Sequence, residues 1–365
     1  MSSVDPLVSE TAARVFGDQA TFSAIEQAEA DGWAPAMWES VAGTGLPWVS
    51  VPAAAGGSGG TLADAVEILR IAGRHGVPLP LAETGILGGW LLAGAGLQLP
   101  SGPLTVAPNT PADTVELRDA KVWGHAHRVP WARAVDGIIV LLDGPPRPMV
   151  VLVDPADVRI EHAVNLAGEP RDTVHFDDAI PLALAPAGPG VDADALRDRG
   201  ALARTATMAG ALERLAELTL EYTASRRQFG RAVAEFQAVQ AHLVHGAQQR
   251  ELVALALAAA VDASTRGPAR FEIAAAKLLA DRAATEATRH AHQAHGAIGM
   301  TREYPLHHFT RRLWSWRAEC GTERAWAREV GTMALTAGAD RLYELITGGS
   351  DLLDSLAADG GRAHT

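Results

Sequence analysis

Two short segments of the chain gather residue types that handle phosphate and planar rings. In Glu221-Tyr-Thr-Ala-Ser-Arg-Arg-Gln-Phe-Gly230, arginines stand beside an aromatic and a glycine. Guanidinium forks pair with diphosphate oxygens, and an aromatic can pack against a base. The same run also reads as a basic helix C-terminus that complements the helix dipole, with Phe229 as a core anchor. In His290-Ala-His-Gln-Ala-His-Gly-Ala-Ile-Gly299, Gly296, Ala297 and Gly299 let a backbone approach a ligand closely, and Gln293 both donates and accepts hydrogen bonds beside them. His292 and His295 share a helix face at i,i+3, a spacing that metal ligands use. No carboxylate cluster accompanies them, so no resident metal is expected there or at His242 and His245. Cys320, the one cysteine of the sequence, lies between Glu319 and Gly321-Thr322. It excludes an intrachain disulfide and any structural zinc or iron–sulfur site built from several thiolates of one chain.

These segments need elements to hold them. With 365 residues, 48% hydrophobic and 20% charged, the chain exceeds one ordinary core and has the apolar content to fill two or three packed regions. Apolar residues recur at helical spacing to about Gln98, around a glycine-rich break at 51–60 that reads as a turn, since no strand or Gly-Lys-Ser/Thr accompanies it. From about Pro100 the pattern becomes short β-rich runs: Leu104–Val106, Thr114–Leu117, Gly137–Leu142, Val150–Val153 and Val174–Phe176, separated by proline and glycine turns. After Pro189 the helical period returns, with Gly267-Pro268 dividing two helices. The expected class is α+β: an N-terminal helical domain (1–99), a central antiparallel β domain (100–190), a C-terminal four-helix bundle (191–350) and a frayed tail (351–365). A net charge of −12 argues against nucleic acid. No run of about 18 apolar residues and no signal-peptide pattern occur, so neither a membrane span nor secretion is expected, and a cytoplasmic setting fits.

On this plan the chain resembles the acyl-CoA dehydrogenases, a family of flavoproteins. Arg226-Arg-Gln-Phe-Gly230 with Phe236-Gln237 is similar to the family's R-x-x-F-G…F-Q segment. Gln293-Ala-His-Gly-Ala-Ile-Gly299 with Thr301-Arg-Glu-Tyr-Pro305 is similar to its Q-x-x-G-G-x-G…T-x-E-Y-P segment, and the loop from Val51 to Gly60 to its V-P-x-x-x-G-G-x-G loop. The resemblance implies FAD as cofactor. Arg226, Gln228 and Phe229 would reach the pyrophosphate and adenine end of an FAD held largely by a neighbouring subunit, Gln293 and Gly296 would line it, and Thr322 would lie near the flavin. It implies an acyl-CoA substrate, whose α-proton is removed as a β-hydride leaves to the flavin, giving a trans-2-enoyl-CoA. It implies an electron-transfer flavoprotein or similar acceptor, and assembly with itself or with a related dehydrogenase chain.

The chain departs from the family where chemistry is done. The usual base is a glutamate in an E-G-T sequence; seventeen residues separate Pro305 from Thr322, which places Cys320 on that position and Glu319 one residue before it. The alternative base position matches Gly200. The usual T-E-P-x-x-G-S-D segment corresponds to Thr105–Asp113, and the W-I-T-N strand to Arg128–Trp131, without the motif residues. Three readings follow: an FAD-dependent acyl-CoA dehydrogenase with Glu319 as base, a less active subunit of a heteromeric dehydrogenase, and a non-redox acyl-CoA-binding or scaffold protein.

Overall fold

The computed structural model describes residues 4 to 362. Among them no helix is long and apolar enough to cross a membrane. The chain forms two compact units, one ending at Ala203 and the other beginning at Arg204.

In the first unit, α1 (Pro6–Gln19) starts at Asp5, whose carboxylate accepts from Leu7 N–H, with proline at the first helical position. The helices α2 (Phe22–Asp31) and α3 (Pro35–Ala42) follow. A capping box starts α4 (Leu62–His75): Thr61 Oγ1 accepts from Asp64 N–H at 3.1 Å, and Asp64 Oδ2 accepts from Thr61 N–H at 2.8 Å. The glycine-rich break before it is a tight turn. A Cβ on Gly57 would lie 2.2 Å from the Val51 carbonyl oxygen, so close packing explains glycine there. A π-helical stretch, Ala82–Gly89, leads into α5 (Trp90–Gly94).

Two four-stranded sheets come next. One has the order β1 (Leu104–Val106), β4 (Gly137–Leu142), β5 (Met149–Val153), β8 (Pro181–Pro186); the other β2 (Glu116–Arg118), β3 (Lys121–Pro130), β7 (Arg171–Ala179), β6 (Arg159–Glu161). The expected antiparallel pattern needs one correction, because β1 pairs with β4 in parallel. The segment joining them carries β2 and β3 of the other sheet, and so long a crossover permits parallel pairing. Val122, Ala126, Val129, Val174 and Phe176 fill the core of this part with Ile138, Val140, Val151 and Val153, while Trp131 packs against Trp33 at 6.4 Å between ring centroids.

The second unit is helical. It begins within α6 (Ala193–Ser225) and continues through a hairpin, β9 (Arg227–Gln228) and β10 (Arg231–Ala232), to α7 (Gln237–Ser264) and α8 (Arg270–His295). The Gly267-Pro268 break falls between the last two, as expected. A short α9 (Leu306–Trp316) and a longer α10 (Glu323–Ala337) complete the bundle. The final helix, α11 (Leu342–Arg362), bends at Gly349 and carries helical backbone through most of the expected tail; residues 363–365 lie outside the described residues.

Candidate functional site

The hairpin after α6 displays the first motif. Arg231 pairs with Gln228 and Ala232 with Arg227, leaving Phe229 and Gly230 as the two-residue loop. Both have positive φ, 50° and 81°, as a type I′ hairpin turn demands. Glycine adopts this freely, whereas phenylalanine there is strained, and such strain is found where a side chain is being presented. Phe229 is 91% exposed and is therefore not the core anchor that one reading of the sequence allowed. Phe236 stands at its edge, 6.2 Å between ring centroids, with the Arg231 guanidinium 4.0 Å above the Phe236 ring. Arg226 and Gln228 are exposed, and among the described residues their side chains make no hydrogen bond or ion pair.

The second motif ends α8. Gln293 and Gly296 are exposed; Gly296 has φ +63°, and a Cβ there would meet nothing within 4 Å, so the backbone is open to close approach. The two motifs meet through aromatic rings. Tyr222, four residues before Arg226, stacks on His295 at 4.7 Å and 16°, and Tyr304 of the Thr301–Pro305 segment closes on both at 5.5 and 5.0 Å. Tyr304 donates its hydroxyl to the Leu218 carbonyl at 3.0 Å. His295 bonds the Ala291 carbonyl through Nδ1 at 2.8 Å, and burial pushes its pKa below the ordinary value. Its ring is held between Tyr222 and Tyr304. The free arginine and amide donors, displayed aromatic and open glycine fit the diphosphate and adenine end of an FAD.

The turn after α9 carries Glu319 and Cys320. Glu319 N–H donates to the Trp316 carbonyl at 3.1 Å, and Cys320 and Gly321 both take positive φ, 54° and 100°. A Cβ on Gly321 would lie 2.5 Å from Trp326 Nε1, and that indole donates to the Cys320 carbonyl at 3.1 Å. Thr322 is the N-cap of α10: its hydroxyl accepts from Ala325 N–H at 3.3 Å. Glu319 does not stand free. Its Oε2 lies 3.1 Å from Arg204 Nε on α6, with both side chains only 10% exposed. That partner could not be read from the sequence, since nothing local links α6 to this turn.

Beneath the turn lies an ion pair with no counterpart in the sequence reading. Lys277 and Asp281, one helical turn apart on α8, are both fully buried, with Nζ 2.5 Å from Oδ1. Lys277 also donates to the Arg317 carbonyl at 3.4 Å, at the start of the turn. Burial raises the Asp281 pKa to about 6, against the opposing charge of Lys277. Its second oxygen, Oδ2, has no hydrogen-bond partner among the described residues.

A histidine cluster joins α7 to α8. His242 Nδ1 lies 2.7 Å from His290 Nδ1, and Arg289 Nη2 lies 3.0 Å from His290 Nε2. Arginine only donates, so neutral His290 must carry its proton on Nδ1 and give it to His242. Burial, followed by the charges of Arg289, His245 and His242, pushes the His290 pKa down.

Comparison with known proteins finds relatives over most of the chain. The family model "Acyl-CoA dehydrogenase, C-terminal domain" matches residues 195–332. The acyl-CoA dehydrogenase IpdE2 of Mycobacterium tuberculosis is 27% identical over 321 residues, covering 84% of this chain and 89% of the relative. The acyl-CoA dehydrogenase FadE28 of the same organism is 30% identical over 302 residues, 74% of this chain and 84% of the relative. Among solved structures, a variant named Tcur3481-Tcur3483 steroid ACAD G363A superposes with a TM-score of 0.81 at 25% identity, over 91% of this chain and 98% of that one.

Proposed function

Since the chain belongs to the acyl-CoA dehydrogenase family, whose cofactor is FAD, we propose that it is the accessory subunit of a two-chain acyl-CoA dehydrogenase. In this assembly, α,β-dehydrogenation of an acyl-CoA thioester to the trans-2-enoyl-CoA takes place on the companion chain. One observation carries the reading: Glu319, beside the Cys320 that the motif spacing assigns to the family's base position, is committed to Arg204 at 3.1 Å. A thiol of ordinary pKa, about 8.5, is protonated at neutral pH and abstracts no α-proton. A carboxylate whose charge and lone pairs serve a guanidinium in a nearly dry setting is a poor substitute. The name Tcur3481-Tcur3483 joins two components in a steroid-acting relative of the same fold, which supports a paired assembly.

The chain's own contribution is to cofactor binding. Arg226 and Gln228 supply donors to the diphosphate, Phe229 packs on the adenine, and Gln293 and Gly296 line the same end. FAD, when bound, accepts the two electrons removed from the thioester, and an electron-transfer flavoprotein or similar carrier takes them onward. The test is to purify the chain alone and together with a candidate companion chain of the same family. The expected outcome is a colourless protein alone and a yellow complex that an acyl-CoA bleaches under anaerobic conditions. A homomer that retains FAD and is bleached by an acyl-CoA overturns the proposal in favour of a self-sufficient dehydrogenase with Glu319 as base. A chain that neither pairs nor binds flavin points to the scaffold reading.

A further inference from the structure

The histidine cluster between α7 and α8 is wired so that it cannot take up a proton without breaking a contact. His242 Nδ1 and His290 Nδ1 are 2.7 Å apart, and the gap holds one hydrogen, supplied by His290. The other nitrogen of His290, Nε2, receives the Arg289 guanidinium at 3.0 Å and must be bare. Every charged form of the pair therefore places either a second hydrogen in the gap between the rings or a hydrogen on Nε2 facing Arg289. His245 adds a third ring. It stacks on His290 at 4.6 Å between centroids and 21° between planes. Its Nδ1 bonds the Ala241 carbonyl at 2.8 Å, and a carbonyl only accepts, so Nε2 is where a further proton goes. Two charged rings stacked in this way repel.

Few counter-charges stand nearby. His290 is 6% exposed. On α8 its charged neighbours are Arg289 and Glu286, and on α7 they are the other two histidines. Of α6, the third helix at this place, Leu212, Leu215, Ala216 and Thr219 line a small cavity beside His242 and bring no charge. Burial, then Arg289, His245 and His242, hold the His290 pKa down, and Glu286 acts the other way. Glu286 is placed to answer a first proton: its Oε2 lies 3.8 Å from His290 Nε2 and 2.6 Å from Arg289 Nη2. The Arg289 side chain is 63% exposed and free to swing into water. One proton thus exchanges Arg289 for Glu286 on Nε2 and keeps the bond between the helices. A second, on His242 Nδ1, sets two hydrogens face to face and drives the rings apart.

We propose that His242, His245 and His290 form a proton-operated latch between α7 and α8, closed while the rings are neutral and open once two of them are charged. The chain released from the latch takes protons first, because the folded structure disfavours charged His290. The latch is therefore fully closed above about pH 6.5 and loses its hold as pH falls below that value. His242 lies in the second turn of α7, the helix that continues from the hairpin β9–β10. On the function proposed above, acidification loosens the seat of the cofactor-facing hairpin. The latch itself stands whether or not the chain binds FAD, and its test reads the helices alone.

The experiment follows amide hydrogen exchange of the full chain at residues 238–248 between pH 7.5 and pH 5.0, corrected for the intrinsic pH dependence of exchange. Protection there should fall by roughly 10- to 100-fold, as uptake of one to two protons requires. His290→Gln keeps an amide donor and acceptor without the charge and should flatten the response, and His245→Gln should reduce it. His295→Phe, which removes a buried histidine further along α8, should leave it as in the parent. Side-chain 15N shifts at pH 7.5 give a second reading, in which His290 carries its hydrogen on Nδ1 and has a bare Nε2. If His290→Gln fails to fold, His242→Gln serves in its place. An Nε2–H form of His290 at pH 7.5, or protection of α7 that falls equally in the parent and in the folded glutamine variant, overturns the proposal.

Discussion

Glu319 and Cys320 are neighbours in sequence but answer differently to an acidic C–H bond. The thiol falls on the position that the resemblance assigns to the family's base, and the carboxylate is held by Arg204. Glu319→Gln in the two-chain complex is therefore expected to change acyl-CoA-driven flavin reduction by less than about 2-fold, whereas loss of a true general base costs roughly 100- to 10,000-fold. Stopped-flow absorbance of the flavin distinguishes the two. A second prediction concerns protons. Burial depresses the pKa of His295, so the unfolded chain takes up the proton first as pH falls below about 6.5. The stability this neutral ring contributes is present at higher pH and is lost on acidification. Asp281 has the opposite sign: its raised pKa, about 6, means that its stabilising contribution appears as pH falls and is lost as pH rises through that value. His295→Phe removes only the first effect. Its stability relative to the parent, read from urea midpoints, should improve between pH 7.5 and pH 5.

At the scale of elements, the turn after α9 depends on a pair that supports it from below. Lys277 and Asp281 are fully buried, and Lys277 reaches the Arg317 carbonyl at the start of that turn. Lys277→Met alone leaves a buried carboxylate without its partner and should cost about 3–5 kcal/mol, while Lys277→Met/Asp281→Leu should recover most of it. Thermal or urea unfolding measures both. How legible these elements were follows from what holds them. β4 and β5 are continuous apolar runs and stand where the sequence placed them. β3 was missed because Gly124, His125, His127, Arg128 and Pro130 interrupt its alternation, and β8 because prolines bound it. The hairpin at Phe229 was legible as a break, but its exposure required the turn geometry. Arg204–Glu319 and Lys277–Arg317 depend on helices meeting far along the chain, and local pattern carries no such information.

For the molecule as a whole, the helical unit leaves apolar side chains uncovered. Val244, Leu252 and Leu255 on α7 are 53, 48 and 70% exposed, in a chain read as half of an assembly. Leu255→Glu should shift the complex toward single chains in light scattering while leaving the circular dichroism of the isolated chain unchanged; an unaffected assembly places the interface elsewhere. The buried pair on α8 has one more consequence, for handling the protein. Lys121 and Lys277 are the lysines of the sequence, and Lys277 is sealed inside the bundle. An acylating reagent therefore meets, besides the N-terminal amine, a single side-chain amine at Lys121, which is 42% exposed. Apart from that terminal amine, Lys121 on β3 is the side-chain amine open to tagging without engineering, and a dye attached there would report on the sheet in which it stands.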